Sequence, residues 1–260
     1  MNIHELKLRI ASGILIGLVF LFSAWCGGWI FRSVAVLVSV LIYSEWSSIT
    51  CSSSEGSIKK IFGWCSIILI SSMVFLGFLK VALLIFFLYF IAFFLLFVMK
   101  KVGFWYSLGI FYSEIFAITV IYLRGNGFEG FSLIIFIFSV VWATDVFAYF
   151  IGRFFGGPKL AKRISPGKTW SGAIGGLLFG VMSGIVVSHF IFPGQFNRAI
   201  MLATTISIAS QLGDLCESLI KRRFDVKQSG WLIPGHGGIM DRMDGLVFAS
   251  LVVSVISFFE

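Results

Sequence analysis

A chain of 260 residues that is 58% hydrophobic and 12% charged is not an ordinary soluble domain, since such domains carry roughly 25% charged residues. Its formal charge of +8 would suit a nucleic-acid binder, but the basic residues are scattered between apolar runs and no polar stretch is long enough for an aqueous core. The composition points to an all-α, polytopic helical membrane protein and argues against nucleic acid as a partner.

Nine apolar runs, at about 11–29, 31–49, 61–79, 81–98, 103–123, 131–151, 172–192, 199–217 and 244–259, approach the roughly 20 residues that a membrane-spanning helix needs. The connections alternate in charge. Lys7 and Arg9 precede the first run, Lys59 and Lys60 the third, and Lys100 and Lys101 the fifth. Arg153, Lys159, Lys162, Arg163 and Lys168 separate the sixth from the seventh; Lys221, Arg222, Arg223, Lys227 and Arg242 separate the eighth from the ninth. Only Arg32, Lys80, Arg124 and Arg198 fall on the other side. This bias places the N-terminus in the cytoplasm and Glu260 across the membrane. Ala24-Trp25-Cys26 offers no small-x-small cleavage site, so the first run is expected to stay as a span. Cys26, Cys51, Cys65 and Cys216 show no paired or metal-finger spacing.

The chain divides by content into a scaffold of helices at 1–125 and a catalytic region at 126–260. The first half is nearly uniform lipid-phase helix. Glu45, beside Trp46 near a span end, reads as interfacial; Glu114 lies mid-span and needs a partner or a proton. Thr50–Ser57 reads as a polar loop. In the second half, Gly172, Gly176, Gly180 and Gly184 recur at every fourth position of the seventh run. Such a small-residue stripe packs another helix closely, and it leaves a homodimer contact open. His189 and His4 stand alone on their backgrounds.

Charge gathers between Gln211 and Asp244, and charge at membrane depth marks a site. On a helix, Asp214, Glu217 or Ser218, and Lys221 share one face. Acids one turn inside a cationic helix exit suit a divalent cation facing a phosphate, although Glu217 and Lys221 also form a good i,i+4 ion pair. Pro234-Gly235-His236-Gly237-Gly238 allows a tight turn whose amides can approach an anion. Asp241 and Asp244 follow at i,i+3 around Arg242, where Asp244 also suits helix capping. Upstream, Asp145, Tyr149 and Arg153 are spaced one turn apart, before the basic run of Lys159, Lys162, Arg163 and Lys168.

Other chemistries fail on these residues. Gly167-Lys168-Thr169 ends like a P-loop, but Lys162 stands where its first glycine is required and no strand is expected before it. Neither a G-x-S-x-G elbow nor an H-E-x-x-H helix is present.

Ser218-x-x-Lys221-Arg222, Lys227, Pro234-Gly-His-Gly-Gly238 and Asp241-Arg-x-Asp244 together resemble the signature of the phosphatidate cytidylyltransferase (CDP-diglyceride synthetase) family. Trp142-x-x-Asp145, Ala148-Tyr149-Phe150-x-Gly152-Arg153, Ser165-Pro166, Lys168-Thr169-Trp170, Gln211-x-Gly213-Asp214 and Glu217-Ser218 extend the likeness. The chain departs from the family pattern at Gln228, where the family has Asp, and at Gly167 and Ser171.

The resemblance implies that CTP and phosphatidic acid give CDP-diacylglycerol and pyrophosphate at the cytoplasmic face of the membrane, among membrane lipids. With the charges above, it assigns Asp214 and Asp241 to Mg²⁺, with Asp244 and Asp145 as further ligands and a second cation open. Lys221, Arg222, Lys227 and Arg242 would hold phosphate oxygens, and His236 would position a phosphate or relay a proton. Ser165, Lys168, Thr169, Ser218, Gly237 and Gly238 would line the substrate site. Two other readings stay open on the residues alone: a CTP-dependent polyprenol or phytol kinase-like enzyme, and an ion-coupled transporter using Glu45, Glu114 and Asp145.

Overall fold

A computed structural model describes residues 3–50, 57–98, 104–191, 193–232 and 237–259. Among these it contains nine helices and one short hairpin: α1 (Ile3–Cys26), α2 (Gly28–Thr50), α3 (Ser57–Leu76), α4 (Leu79–Val98), α5 (Phe104–Arg124), α6 (Phe128–Phe155), β1 (Lys159–Ala161), β2 (Ser165–Thr169), α7 (Trp170–Ile191), α8 (Phe196–Arg223) and α9 (Met240–Phe259). Six are long and apolar enough to cross a membrane, and Ser12–Cys26, Ile61–Leu76 and Leu79–Leu95 are shorter apolar stretches. Leu84, Phe87, Leu88, Ile91, Phe94 and Leu95 of α4 are all exposed, a surface that suits hydrocarbon and would be untenable in water. The chain is an all-α polytopic membrane protein.

Two compact units make up the fold. The first comprises residues 1–126 and 228–241. Its core is α2 against α5. Trp46 is buried with its indole N–H donating to Trp105 O at 2.8 Å and its ring 5.3 Å from Tyr112. Gly109 makes room for that indole, since a Cβ there would lie 2.6 Å from Trp46 Nε1. The Ser39 hydroxyl donates to Ser113 O on the same interface. Glu114 is buried and receives the Ser71 hydroxyl of α3 at 2.7 Å, so one of its oxygens is held by a neighbouring helix. Glu45 is not the interfacial residue its position suggested. It is buried, and its carboxylate accepts three hydrogen bonds from the 229–240 segment.

The second unit comprises residues 127–227 and 242–260. The glycine stripe of α7 lies against α6: a Cβ at Gly172 or Gly176 would fall 2.6 Å from Ala148 O or 2.8 Å from Thr144 O. Further along, Gly184 sits over Ala203 of α8. The stripe is thus filled from within the chain. Thr144 donates to Ser207 Oγ at 2.9 Å, joining α6 to α8 by a buried polar contact. The helices also outrun the apolar pattern, because α6 reaches Phe155 and α8 reaches Arg223. Their polar ends continue the backbone hydrogen bonding beyond the hydrocarbon-like stretch.

The segment expected to lack a strand before Gly167 contains two, paired as a hairpin. Lys159–Ala161 pairs antiparallel with Ser165–Thr169, and Gly167-Lys168-Thr169 lies within β2. The absence of a strand therefore no longer argues against a P-loop, but Lys162 still stands where the motif's first glycine is required, and an extended strand cannot form its curved amide nest.

Candidate active site

The face of α8 that carries Asp214, Glu217, Ser218 and Lys221 is a charged face. Lys221 Nζ lies 2.6 Å from Glu217 Oε2, and the Ser218 hydroxyl donates to Asp214 Oδ1 over 3.4 Å. Glu217 is fully buried at 0% exposure, so its charge rests on protein partners such as this lysine, with no help from water. Lys168 reaches from β2 to form an ion pair with Asp214 Oδ2.

Asp244 enters from α9, and two glycines admit it. Gly213, next to Asp214, lies against Asp244 O and the Phe248 ring; Gly245, next to Asp244, lies over Ser210, 2.5 Å from a built Cβ to its hydroxyl. Each helix therefore lacks a side chain where the other comes closest, the small-residue device that lets membrane helices touch. Asp244 Oδ1 accepts the Gly245 N–H at 2.7 Å. As a result, one oxygen each from Asp214, Glu217 and Asp244 lies within 4.8 Å of the others. Asp145 of α6 is within electrostatic reach of Asp214, Lys168, Arg242 and Asp244.

Three carboxylates so close repel by about 3 kcal/mol per pair at an effective dielectric of ~20. Lys168 and Lys221 offset part of that. A close set of carboxylate oxygens is the donor chemistry of a hard divalent cation, which takes carboxylates together with substrate phosphates.

Around this group the hairpin is tied down by polar contacts. Thr169 caps α7, its hydroxyl accepting the Gly172 N–H at 3.1 Å and lying 3.0 Å from Ser171 Oγ, while Ser171 donates to Gly156 O. Arg222 donates from Nε to Ile164 O at 3.3 Å and from Nη1 to Val226 O at 3.4 Å. It fastens the hairpin turn to the segment after α8. Arg153 donates to the Tyr149 hydroxyl at 2.8 Å. Ser165 is half-buried on β2, and Lys227 and Arg242 are exposed.

The structure gathers Asp145, Lys168, Asp214, Ser218, Lys221 and Asp244 from separated parts of the sequence. It differs from expectation in which α9 acid joins Asp214: the converging carboxylate is that of Asp244. Asp241 is engaged elsewhere, where its Oδ2 accepts the Ser229 and Gly238 N–H groups at 3.0 Å each. Gly237, at φ 85°, makes the turn that brings Gly238 there. His236 lies outside the described residues. Sequence reasoning placed Glu217 on the face of Asp214, with an ion-paired helix end as the other reading, and did not count it among the metal ligands. The i,i+3 spacing from Asp214 was the signal that it shares the acidic site.

The chain is similar to known proteins along most of its length. The model of the Cytidylyltransferase family matches residues 7–259. A phosphatidate cytidylyltransferase of Brucella abortus is 39% identical over 250 residues, covering 96% of this chain and 92% of that protein. Phosphatidate cytidylyltransferases of Haemophilus influenzae, 42% identical over 137 residues, and Staphylococcus saprophyticus, 43% identical over 143, match about half of this chain and half of their own lengths.

Proposed function

We infer, from the premise that this chain belongs to the cytidylyltransferase family, that it converts CTP and phosphatidate to CDP-diacylglycerol and pyrophosphate. A phosphate oxygen of phosphatidate forms a bond to the α-phosphorus of CTP. The bond from that phosphorus to the bridging oxygen breaks, and pyrophosphate leaves with the electron pair. The attacking oxygen is already anionic, so the step needs positioning and charge stabilisation more than a base.

The observation that carries this reading is the meeting of Asp214, Glu217 and Asp244 within 4.8 Å, with lysines on two of them. These three acids, with Asp145 beside them, would hold Mg²⁺. Bound there, the ion would neutralise phosphate charge and help align the nucleotide. Lys168 and Lys221 restrain Asp214 and Glu217 and bring ammonium groups to the same place. Arg242 and Lys227 are exposed, where CTP can reach them, and Arg222 keeps the hairpin turn in register. Burial of Glu217 limits water beside the reacting phosphates. The alternating charge of the loops supports a cytoplasmic N-terminus and a site on the cytoplasmic face of a bacterial inner membrane.

Purified protein given CTP, Mg²⁺ and phosphatidate should release pyrophosphate, and omission of any one should stop it. Chelation should abolish release and added Mg²⁺ should restore it. Asp244→Asn should lower kcat by at least about 100-fold while membrane abundance is unchanged. Near-normal turnover in that variant at saturating Mg²⁺ would remove Asp244 from the site.

A further inference from the structure

We propose that Glu45 of α2 is a positioning residue for the reaction, acting through Ser229 and the backbone of Ile239 and Met240; the proposal rests on the cytidylyltransferase reading. Glu45 is 4% exposed, and nothing in the chemistry described above uses it. Its carboxylate accepts the Ser229 hydroxyl at 2.7 Å, the Ile239 N–H at 2.8 Å and the Met240 N–H at 2.9 Å. No cation pairs with it among the described residues. Its charge is balanced by backbone and hydroxyl dipoles, including the amide of the first residue of α9. A helix start carries partial positive charge and unsatisfied N–H groups, so Glu45 caps α9 from a different helix.

The neighbouring residues are fitted to this contact. A Cβ at Gly230 would lie 2.8 Å from Glu45 Oε1, and one at Gly238 would run into Ser229 Oγ and Glu45 Oε2. Asp241 takes the Ser229 and Gly238 amides on its own oxygen at 3.0 Å. Two carboxylates thereby fix one segment through four backbone N–H groups and a hydroxyl. Glu45 is itself held firmly, because adjacent Trp46 is 1% exposed and bonded to Trp105 O. The helix whose start is fixed in this way carries Arg242 and Asp244 within its first two turns. A displacement of about 1 Å at a reacting centre can cost on the order of 100-fold in rate.

The test compares Glu45→Gln with Glu114→Gln, the other buried acid of the same unit, which accepts the Ser71 hydroxyl. Glutamine keeps the volume but turns one acceptor into a donor facing N–H groups. Glu45→Gln should lower kcat about 100-fold with KM for CTP and for phosphatidate within about threefold, and amide exchange across Ser229–Asp241 should quicken by about tenfold or more. Glu114→Gln should keep kcat within about threefold and leave that exchange unchanged. Unchanged exchange in Glu45→Gln, or equal kcat losses in the two variants, would overturn the proposal. If wild-type protein released no pyrophosphate, the assigned reaction would fall, and the exchange comparison would still decide whether Glu45 holds the segment.

Discussion

Lys168 and Lys221 each pair with one acid of the site, yet the two pairs differ in kind. The Lys168–Asp214 side chains are 27% and 37% exposed, whereas the Lys221–Glu217 side chains are 12% and 1% exposed. An exposed ion pair contributes about 0–1 kcal/mol. Removing one partner of a buried pair costs about 3–5 kcal/mol, because the other charge is left stranded. Lys221→Met should therefore destabilise the detergent-solubilised protein by about 3 kcal/mol or more, and Lys168→Met by under about 1 kcal/mol, as read from denaturation midpoints. Glu217→Gln combined with Lys221→Met should recover much of the lost stability without restoring activity; no recovery would mean that the pair is not what holds Lys221. Asp214, Glu217 and Lys221 were legible from their spacing on one helix face. The burial that separates one pair from the other was not, since it depends on what packs over Glu217. Glu45 was hidden for a related reason: its partners lie 184 to 195 positions away, and no periodicity reports such pairings.

The helices themselves were readable because each is an apolar run bounded by polar residues, and hydrocarbon leaves helix as the way to satisfy an isolated span's backbone. The β1–β2 hairpin was not readable. Lys159–Ala161 and Ser165–Thr169 are too short and too polar to show alternation, and their pairing is completed by Thr169 capping α7 and Arg222 holding Ile164 O. The stripe of α7 was legible as a packing face, but its occupant, α6, was not. The contact of α8 with α9 matters most for function, since Gly213 and Gly245 let the acids beside them meet. Gly213→Ala puts a methyl group against Asp244 O and Phe248, where overpacking typically costs 1–3 kcal/mol. It should also reduce kcat by about tenfold or more by moving Asp244 from Asp214. Leu212, 52% exposed one residue earlier, provides the contrast: Leu212→Ala should shift the thermal midpoint and kcat little. Equal effects of the two substitutions would show that the α8–α9 approach is not specific to the glycine.

At the scale of the whole molecule the question is how many helices cross. Six satisfy length and hydropathy outright, while α1, α3 and α4 supply shorter apolar stretches. The exposed surface favours crossing by these three as well: Leu15, Leu18 and Phe22 of α1, Ile61, Phe62 and Ile68 of α3, and the leucines and phenylalanines of α4 all lie outward. An α3–α4 pair lying in water would expose those side chains with no compensation. Nine crossings put the two ends of the chain on opposite sides and leave Lys59, Lys60, Lys100 and Lys101 on the cytoplasmic side with the N-terminus. Seven crossings, without α3 and α4, would instead keep the turn at Gly77 on the cytoplasmic side. Alkaline phosphatase, active only outside the cytoplasm, separates these cases when fused after chosen positions. Fusions after residues 78, 126, 194 and 260 should be active, and those after 56, 102 and 227 inactive. Activity after residue 78 together with inactivity after 56 is the deciding result, because only crossing by α3 separates those two positions. An inactive fusion there, with the protein present at normal abundance, would leave α3 and α4 on the cytoplasmic side and reduce the span count.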